Sequence, residues 1–184
     1  MRKLRFILPL FICFSLLLHL SCGGDDTREP EVIQTFLEAS EIITNMGIGF
    51  NLGNTFDLNI NSTNPEDIYQ VIDFYTSAGM KHIRIPTTWM DGFDGDHLAD
   101  NAGNVDFTHA RFIQLKAVID YALDKELYVV LNAHHERWLY EGFNENPGYA
   151  NLFSRLWFNI AHHFKDYPQE LIFEVLNEPQ GDFG

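Results

Sequence analysis

Residues 171–179 read LIFEVLNEP, and this stretch decides the fold. Leu171 to Leu176 is short, mostly apolar and rich in β-formers, the pattern of a strand buried on both faces in a parallel sheet. It stops at Asn177-Glu178-Pro179. Pro179 cannot donate a ladder hydrogen bond and disfavours helix at Glu178. An amide and a carboxylate therefore stand side by side at the C-terminal tip of a buried strand, where parallel α/β folds bind their ligands. Taken alone, Glu178 reads as a solvated strand-end charge; the rest of the chain decides otherwise.

Working outward, strands and helices alternate. Gly47–Leu52 is a first strand ending in Gly53-Asn54-Thr55, and His82–Ile85 a second, closed by Pro86. Leu127–Asn132 is a third, ending at Ala133-His134-His135-Glu136. Helical spacing runs over Glu38–Thr44 and over Pro65–Ala78, where Ile68, Val71, Ile72 and Tyr75 share a face, Asn64 is the N-cap and Gly79 the C-cap. It recurs over Thr108–Lys125, with Phe112, Leu115, Ile119 and Ala122 aligned, and over Tyr149–Phe164. Asp91–Asp106 reads as a polar loop, and the segment before Tyr149 as an aromatic loop. Each strand carries a polar cluster at its C-terminal end. That pattern fits a (β/α)8 barrel or an open doubly wound sheet, and no G-x-G-x-x-G opens the first helix to favour a dinucleotide site.

The chain has 184 residues and a formal net charge of −14. Residues 1–21 hold Arg2, Lys3 and Arg5 and no acid, so without them nine basic residues face 26 acidic ones, for −17. Such a surface repels phosphate backbones and argues against nucleic-acid partners. Met1–Arg5 is a basic n-region and Phe6–Leu20 an apolar stretch of signal-peptide length. The following Ser21-Cys22-Gly23-Gly24-Asp25-Asp26 resembles a bacterial lipoprotein signal, which implies cleavage before Cys22 and lipidation of its thiol. The alternative is a soluble secreted or periplasmic protein cut near Cys22. Cys13 lies in the apolar stretch, so the mature chain has no cysteine pair for a disulfide. The expected divisions are 1–21 as signal peptide, 22–37 as lipidated cysteine and flexible tether, and 38–184 as the catalytic region, held to the outer membrane or cell surface.

Four stretches follow one another in order and spacing: GFNLGNTFD (Gly49–Asp57), GMKHIRIPTTW (Gly79–Trp89), LYVVLNAHHE (Leu127–Glu136) and LIFEVLNEP. Together they resemble glycoside hydrolase family 5, the cellulase-type retaining β-glycosidases of clan A, over about residues 40–184. The resemblance implies a (β/α)8 barrel. A barrel takes roughly 250 residues, so the chain is expected to hold the first four strands only, as a half-barrel with two open sheet edges.

Carried over by residue, Glu178 corresponds to the general acid/base and Asn177 to the amide that holds the substrate 2-hydroxyl. A protonated carboxyl beside the leaving oxygen and a tightening 2-hydroxyl bond are what glycoside hydrolysis requires. Arg84, a cation between Ile83 and Ile85, needs a carboxylate partner; the resemblance supplies the nucleophile, expected beyond Gly184, and the alternative is another core acid. His134 and His135 correspond to sugar-lining histidines, with a metal site as the rival reading, and a third reading joins them to Glu136 as a metal-dependent hydrolase. Adjacent strand residues alternate sides, which favours sugar over metal, and no cofactor is expected. Asn54 and Asp57 are expected on the glycone side. Trp89, Trp138 and Tyr140 are expected to stack on sugar rings, with packing as the alternative for each. His162 and His163 read as a helix surface or packing feature.

The implied function is a retaining endo-β-glycanase of endo-β-1,4-glucanase type acting on a β-glucan polysaccharide or oligosaccharide. Residues 1–184 alone are expected to be inactive, because a retaining enzyme needs a second carboxylate roughly 5–5.5 Å from the first. The alternative is a non-catalytic surface lipoprotein that binds glycans.

Overall fold

The computed structural model describes residues 36–91 and 96–183. The signal segment, Cys22 and the tether as far as Thr35 lie outside the described residues. Leu37, expected to end the tether, donates its backbone N–H to Gln169 Oε1 at 2.8 Å.

The elements run α1 (Ala39–Met46), β1 (Gly49–Asn51), α2 (Pro65–Ser77), β2 (His82–Ile85), α3 (Ala110–Asp124), β3 (Tyr128–Asn132), α4 (Arg137–Tyr140), α5 (Tyr149–His163) and β4 (Leu171–Glu174), then a 3₁₀ turn, Gly181–Phe183. The strands form one parallel sheet in sequential order, β1-β2-β3-β4. This is the (β/α) succession expected from the sequence, and four strands of it match part of an eight-stranded barrel.

Register sorts the side chains into two faces, because parallel partners point the same way. Phe50, Ile83, Val129 and Leu171 share one row, and Ile85, Leu131 and Phe173 the next. Ile83, Ile85, Val129 and Leu131 are fully buried together with Phe112, Leu115 and Ile119 of α3, Ile72 of α2, and Leu156 and Ile160 of α5. The core therefore lies between sheet and helices. The opposite face carries Asn51 and Arg84 in one row with Val130 and Ile172, and Asn132 beside Glu174 two residues further on. Polar residues in phase on that face build the site.

All four aligned α3 residues are buried, whereas Val71 of α2 is 38% exposed while Ile68 and Ile72 are buried. Asn64 makes no side-chain cap bond, and α2 closes on Ala78 with Gly79 (φ +89°) following in the left-handed region. The aromatic loop before Tyr149 contains the short helix α4. β4 ends at Glu174, two residues earlier than expected, and Val175 turns outward, 56% exposed. His163 packs on Phe107 (ring centroids 4.0 Å apart) and Phe112, and His162 stacks on Phe158, as expected for packing and surface roles.

Candidate functional site

Past the last ladder positions the rim segments stay tied to their neighbours by single backbone bonds. Leu52 N–H donates to Arg84 O (2.8 Å), Thr88 N–H to Phe56 O (3.2 Å), His134 N–H to Thr87 O (2.9 Å) and Asn177 N–H to Ala133 O (2.9 Å). This stitching holds the residues after each strand close enough to share one polar network.

Arg84 is its centre. Nε donates to Glu174 Oε2 (2.7 Å) and Nη2 to Glu174 Oε1 (2.8 Å), a bidentate charge-assisted pair. Nη1 reaches Asn51 Oδ1 and Nη2 also reaches Asn177 Oδ1, both at 2.8 Å. The expectation that the Arg84 partner lies beyond Gly184 is thus corrected: Glu174, on the adjacent row of the same face, fills the role. The mutual hydrogen bond holds the Glu174 carboxyl below its ordinary value and raises the Arg84 guanidinium above its own.

Asn177 is buried and fixed on three sides, through its N–H, its Oδ1 and its carbonyl, which accepts from Tyr140 Oη at 2.9 Å. With Oδ1 facing Arg84, the amide NH2 points the other way. Glu178 follows at φ +42°, a left-handed conformation uncommon for a non-glycine residue, and is exposed. Its charge acts on both Arg84 and Tyr140.

Asp57 is buried, and its Oδ1 accepts the Thr55 N–H at 2.9 Å. Its Oδ2 stands 3.9 Å from Nε2 of His134 and 3.9 Å from Nε2 of His135, whose rings meet edge to face. Ligand-capable atoms of these three residues all lie within 4.8 Å of one another. Burial, then the neighbouring His135, push the His134 imidazole down to about 4. Glu136 does not join this group. It is fully buried beneath the rim, accepting from Trp89 N–H (2.7 Å), Trp138 Nε1 (2.8 Å) and Met90 N–H, and burial pushes its carboxyl up. The reading that pairs Glu136 with the two histidines is therefore corrected; those donors hold it between the β2 and β3 loops.

The aromatic expectations divide. Trp89 is fully buried, its Nε1 donating to Asn132 O at 2.9 Å and its ring near Phe112, so it is core and not a sugar platform. Tyr140 braces the rim, its hydroxyl within 2.9 Å of Asn177 O and 3.2 Å of His134 O. Trp138 sits half-buried on α4, edge to face with Tyr149, beside a cavity of about 510 Å³ lined also by Asp91, Arg137, Glu145 and Asn146. Asn54 (φ +62°) is exposed and acts through its backbone, its carbonyl accepting Ile60 and Asn61 N–H to close a turn.

Glu174, Asn132 and Asn51 were not singled out by the sequence reading. The signal was present: Asn51, Arg84 and Glu174 are polar residues inside strands whose neighbours are mostly apolar, and a buried charge needs a partner.

Residues 44–183 match the Cellulase family, described as glycosyl hydrolase family 5. The chain belongs to this family. It is 37% identical over 171 residues to Endoglucanase A of Clostridium longisporum, covering 84% of this chain and 32% of that protein. To Endoglucanase B of Ruminococcus albus it is 34% identical over 163 residues, with 84% and 37% covered. The chain thus spans about a third of the length of these curated relatives. Among solved structures, a broad-specificity GH5-4 endoglucanase from Clostridium longisporum superposes with a TM-score of 0.65 at 34% identity, covering 82% of this chain and 45% of that one. A tri-modular subfamily 4 endo-β-1,4-glucanase from Bacillus licheniformis, complexed with cellotetraose, gives 0.63 at 34% identity, covering 77% and 27%. The parallel sheet here corresponds to part of the family's (β/α)8 barrel.

Proposed function

We propose that the protein is a retaining endo-β-glycanase of endo-β-1,4-glucanase type, with Glu178 as general acid/base and β-glucan as substrate. The observation that carries this reading is the Asn177–Glu178 pair at the sheet's C-terminal rim, the amide locked by Arg84 and the carboxyl exposed. The fixed NH2 of Asn177 suits a sugar 2-hydroxyl, whose hydrogen bond strengthens as the oxocarbenium-like transition state forms. Glu178, at the surface of the same network, is free to donate a proton to the leaving oxygen and then to activate water. The named activities of the relatives support the substrate class. His135 and Asp57 line the same rim as glycone contacts, and Trp138 is the remaining aromatic platform.

A second carboxylate must act as nucleophile, and we assign it to a residue outside 36–183. Residues 36–183 alone then release nothing from an aryl cellobioside or a soluble β-glucan, while protein that carries that residue does, and Glu178→Gln abolishes it. Turnover by residues 36–183 that disappears in Glu178→Gln would overturn the assignment of the nucleophile. An unchanged rate for Glu178→Gln in protein that carries the nucleophile would overturn the acid/base role. We also propose export as a lipoprotein anchored through Cys22, supported by the basic, apolar and Ser21-Cys22-Gly23 succession. Labelled-lipid incorporation lost in Cys22→Ala tests it; a lipid-free protein secreted at unchanged yield rejects it.

A further inference from the structure

Asn132 ends β3 fully buried, and every polar atom of its amide has a partner. Oδ1 accepts the Thr87 backbone N–H at 3.1 Å. Because that N–H can only donate, the amide cannot be turned over, and Nδ2 must face the opposite side. There Nδ2 lies 3.1 Å from Nδ1 of His134, while Glu174, the register partner of Asn132 on β4, is itself held by Arg84. A nitrogen that receives an N–H from Asn132 cannot carry a proton of its own. In the neutral ring the proton must then sit on Nε2.

We propose that Asn132 is a positioning residue that locks His134 as the Nε2–H tautomer, so that the pocket of Asp57, His134 and His135 takes a sugar hydroxyl and rejects a divalent cation. This rests on the glycanase reading for the identity of the hydroxyl. The tautomer itself does not. Nε2–H and Asp57 Oδ2 stand 3.9 Å apart, too far for a direct bond. A hydroxyl oxygen placed about 2.8 Å from each bridges that gap, accepting from His134 and donating to Asp57. A metal needs the reverse: an Nε2 lone pair, with the other ring nitrogen protonated and donating outward. Asn132 offers that second nitrogen a donor where an acceptor is required. The charged groups around the His134 ring are Asp57, Arg84 and Glu174, with His135 alongside, and burial keeps His134 neutral near pH 7, where the tautomer matters.

The test uses the 184-residue chain with ¹⁵N-labelled histidine at pH 7, the His134 signals being assigned by their loss in His134→Gln. The expected spectrum shows a protonated, pyrrole-type Nε2 and a bare, pyridine-type Nδ1. The opposite pattern, or tautomers averaged as in free histidine, overturns the proposal. Asn132→Asp keeps the acceptor for Thr87 but replaces the NH2 with an oxygen that accepts from Nδ1–H. It is expected to reverse the tautomer and to tighten Zn²⁺ binding, read by calorimetry, at least tenfold over the unsubstituted chain. Equal zinc affinity in the two proteins counts against the cation-exclusion half, and an Asn132→Asp variant that does not fold leaves the unsubstituted spectrum as the deciding result. An unchanged hydrolysis rate for Glu178→Gln in protein that carries the nucleophile, with the Nε2–H pattern intact, would strike the glycanase reading and spare the tautomer.

Discussion

Removing Arg84 and Glu174 singly and together measures what holds the rim in place. Their side chains are 24% and 33% exposed, between the surface pairs that contribute almost nothing and buried pairs whose breakage costs about 3–5 kcal/mol. The pair is bidentate, at 2.7 and 2.8 Å, and charge-assisted bonds contribute about 1.5–3 kcal/mol. Glu174→Gln keeps the shape and one acceptor but loses the charge, so it is expected to cost about 1.5–2 kcal/mol. Arg84→Met is expected to cost more, about 3 kcal/mol, because Asn51, Asn177 and Glu174 all lose a donor. Urea unfolding of the four proteins in a double-mutant cycle should give a coupling of about 1.5 kcal/mol. The pH dependence follows from the depressed Glu174 carboxyl: the coupling is complete above the ordinary carboxylate value of 4.5 and disappears as pH falls through the lower folded value. A coupling within about 0.5 kcal/mol of zero at pH 7 would refute the network as the organiser of the rim.

Three further outcomes are expected. Trp89→Ala empties a fully buried site and should cost about 3–5 kcal/mol, with a smaller loss for the half-buried Trp138→Ala; thermal unfolding of the two variants ranks them. His134 has its folded value near 4 against an ordinary 6.5, so the folded state binds fewer protons and stability is lost as pH falls below about 6.5, by up to about 3 kcal/mol at pH 4. Denaturation curves of His134→Gln should lack that loss. Gly103→Ala should destabilise by about 2 kcal/mol, since its φ of +79° disfavours a side chain and an added Cβ would lie 2.9 Å from Leu152 O; the same unfolding assay checks it.

Much of the architecture is legible because four apolar runs and four helical stretches are punctuated by glycine and proline. Boundaries were less so. The β-formers Val175 and Leu176 predict a strand through Leu176, but pairing with β3 stops at Glu174 and Val175 faces outward. Helix α4 is one turn of aromatic and charged residues, too short for periodicity to distinguish it from a loop. Trp89 shows the same limit in tertiary form. An aromatic residue just after a strand can face sugar or core, and only the loop after β3, which brings the Glu136 carboxylate to the Trp89 N–H, decides for core. The partner of Arg84 was within reach of sequence reasoning. Glu174 is the one acid inside the predicted apolar strand LIFEVL, and two opposite charges on one face of a sheet are more economically paired with each other than with an outside group.

The division of labour between Asn177 and Glu178 follows from where β4 lets go of the sheet. Ladder pairing ends at Glu174, yet one further backbone bond, Asn177 N–H to Ala133 O, pulls the chain back against β3 after Val175 has turned out. That bond, the Arg84 contact and the Tyr140 hydroxyl fix Asn177 from three directions, which suits the hydroxyl contact proposed for it. Glu178 then takes φ +42°, reversing the chain so that its side chain leaves the sheet instead of burying beside its neighbour. The acid/base role proposed for Glu178 needs that exposure, since such a group must meet a leaving oxygen and later a water. The strain of a non-glycine left-handed residue, of the order of 1–3 kcal/mol, is sustained because Asn177 is anchored immediately before it and Pro179 is rigid immediately after. Two adjacent residues with opposite needs, one immobile and one exposed, are thus served by a single kink at the end of a strand.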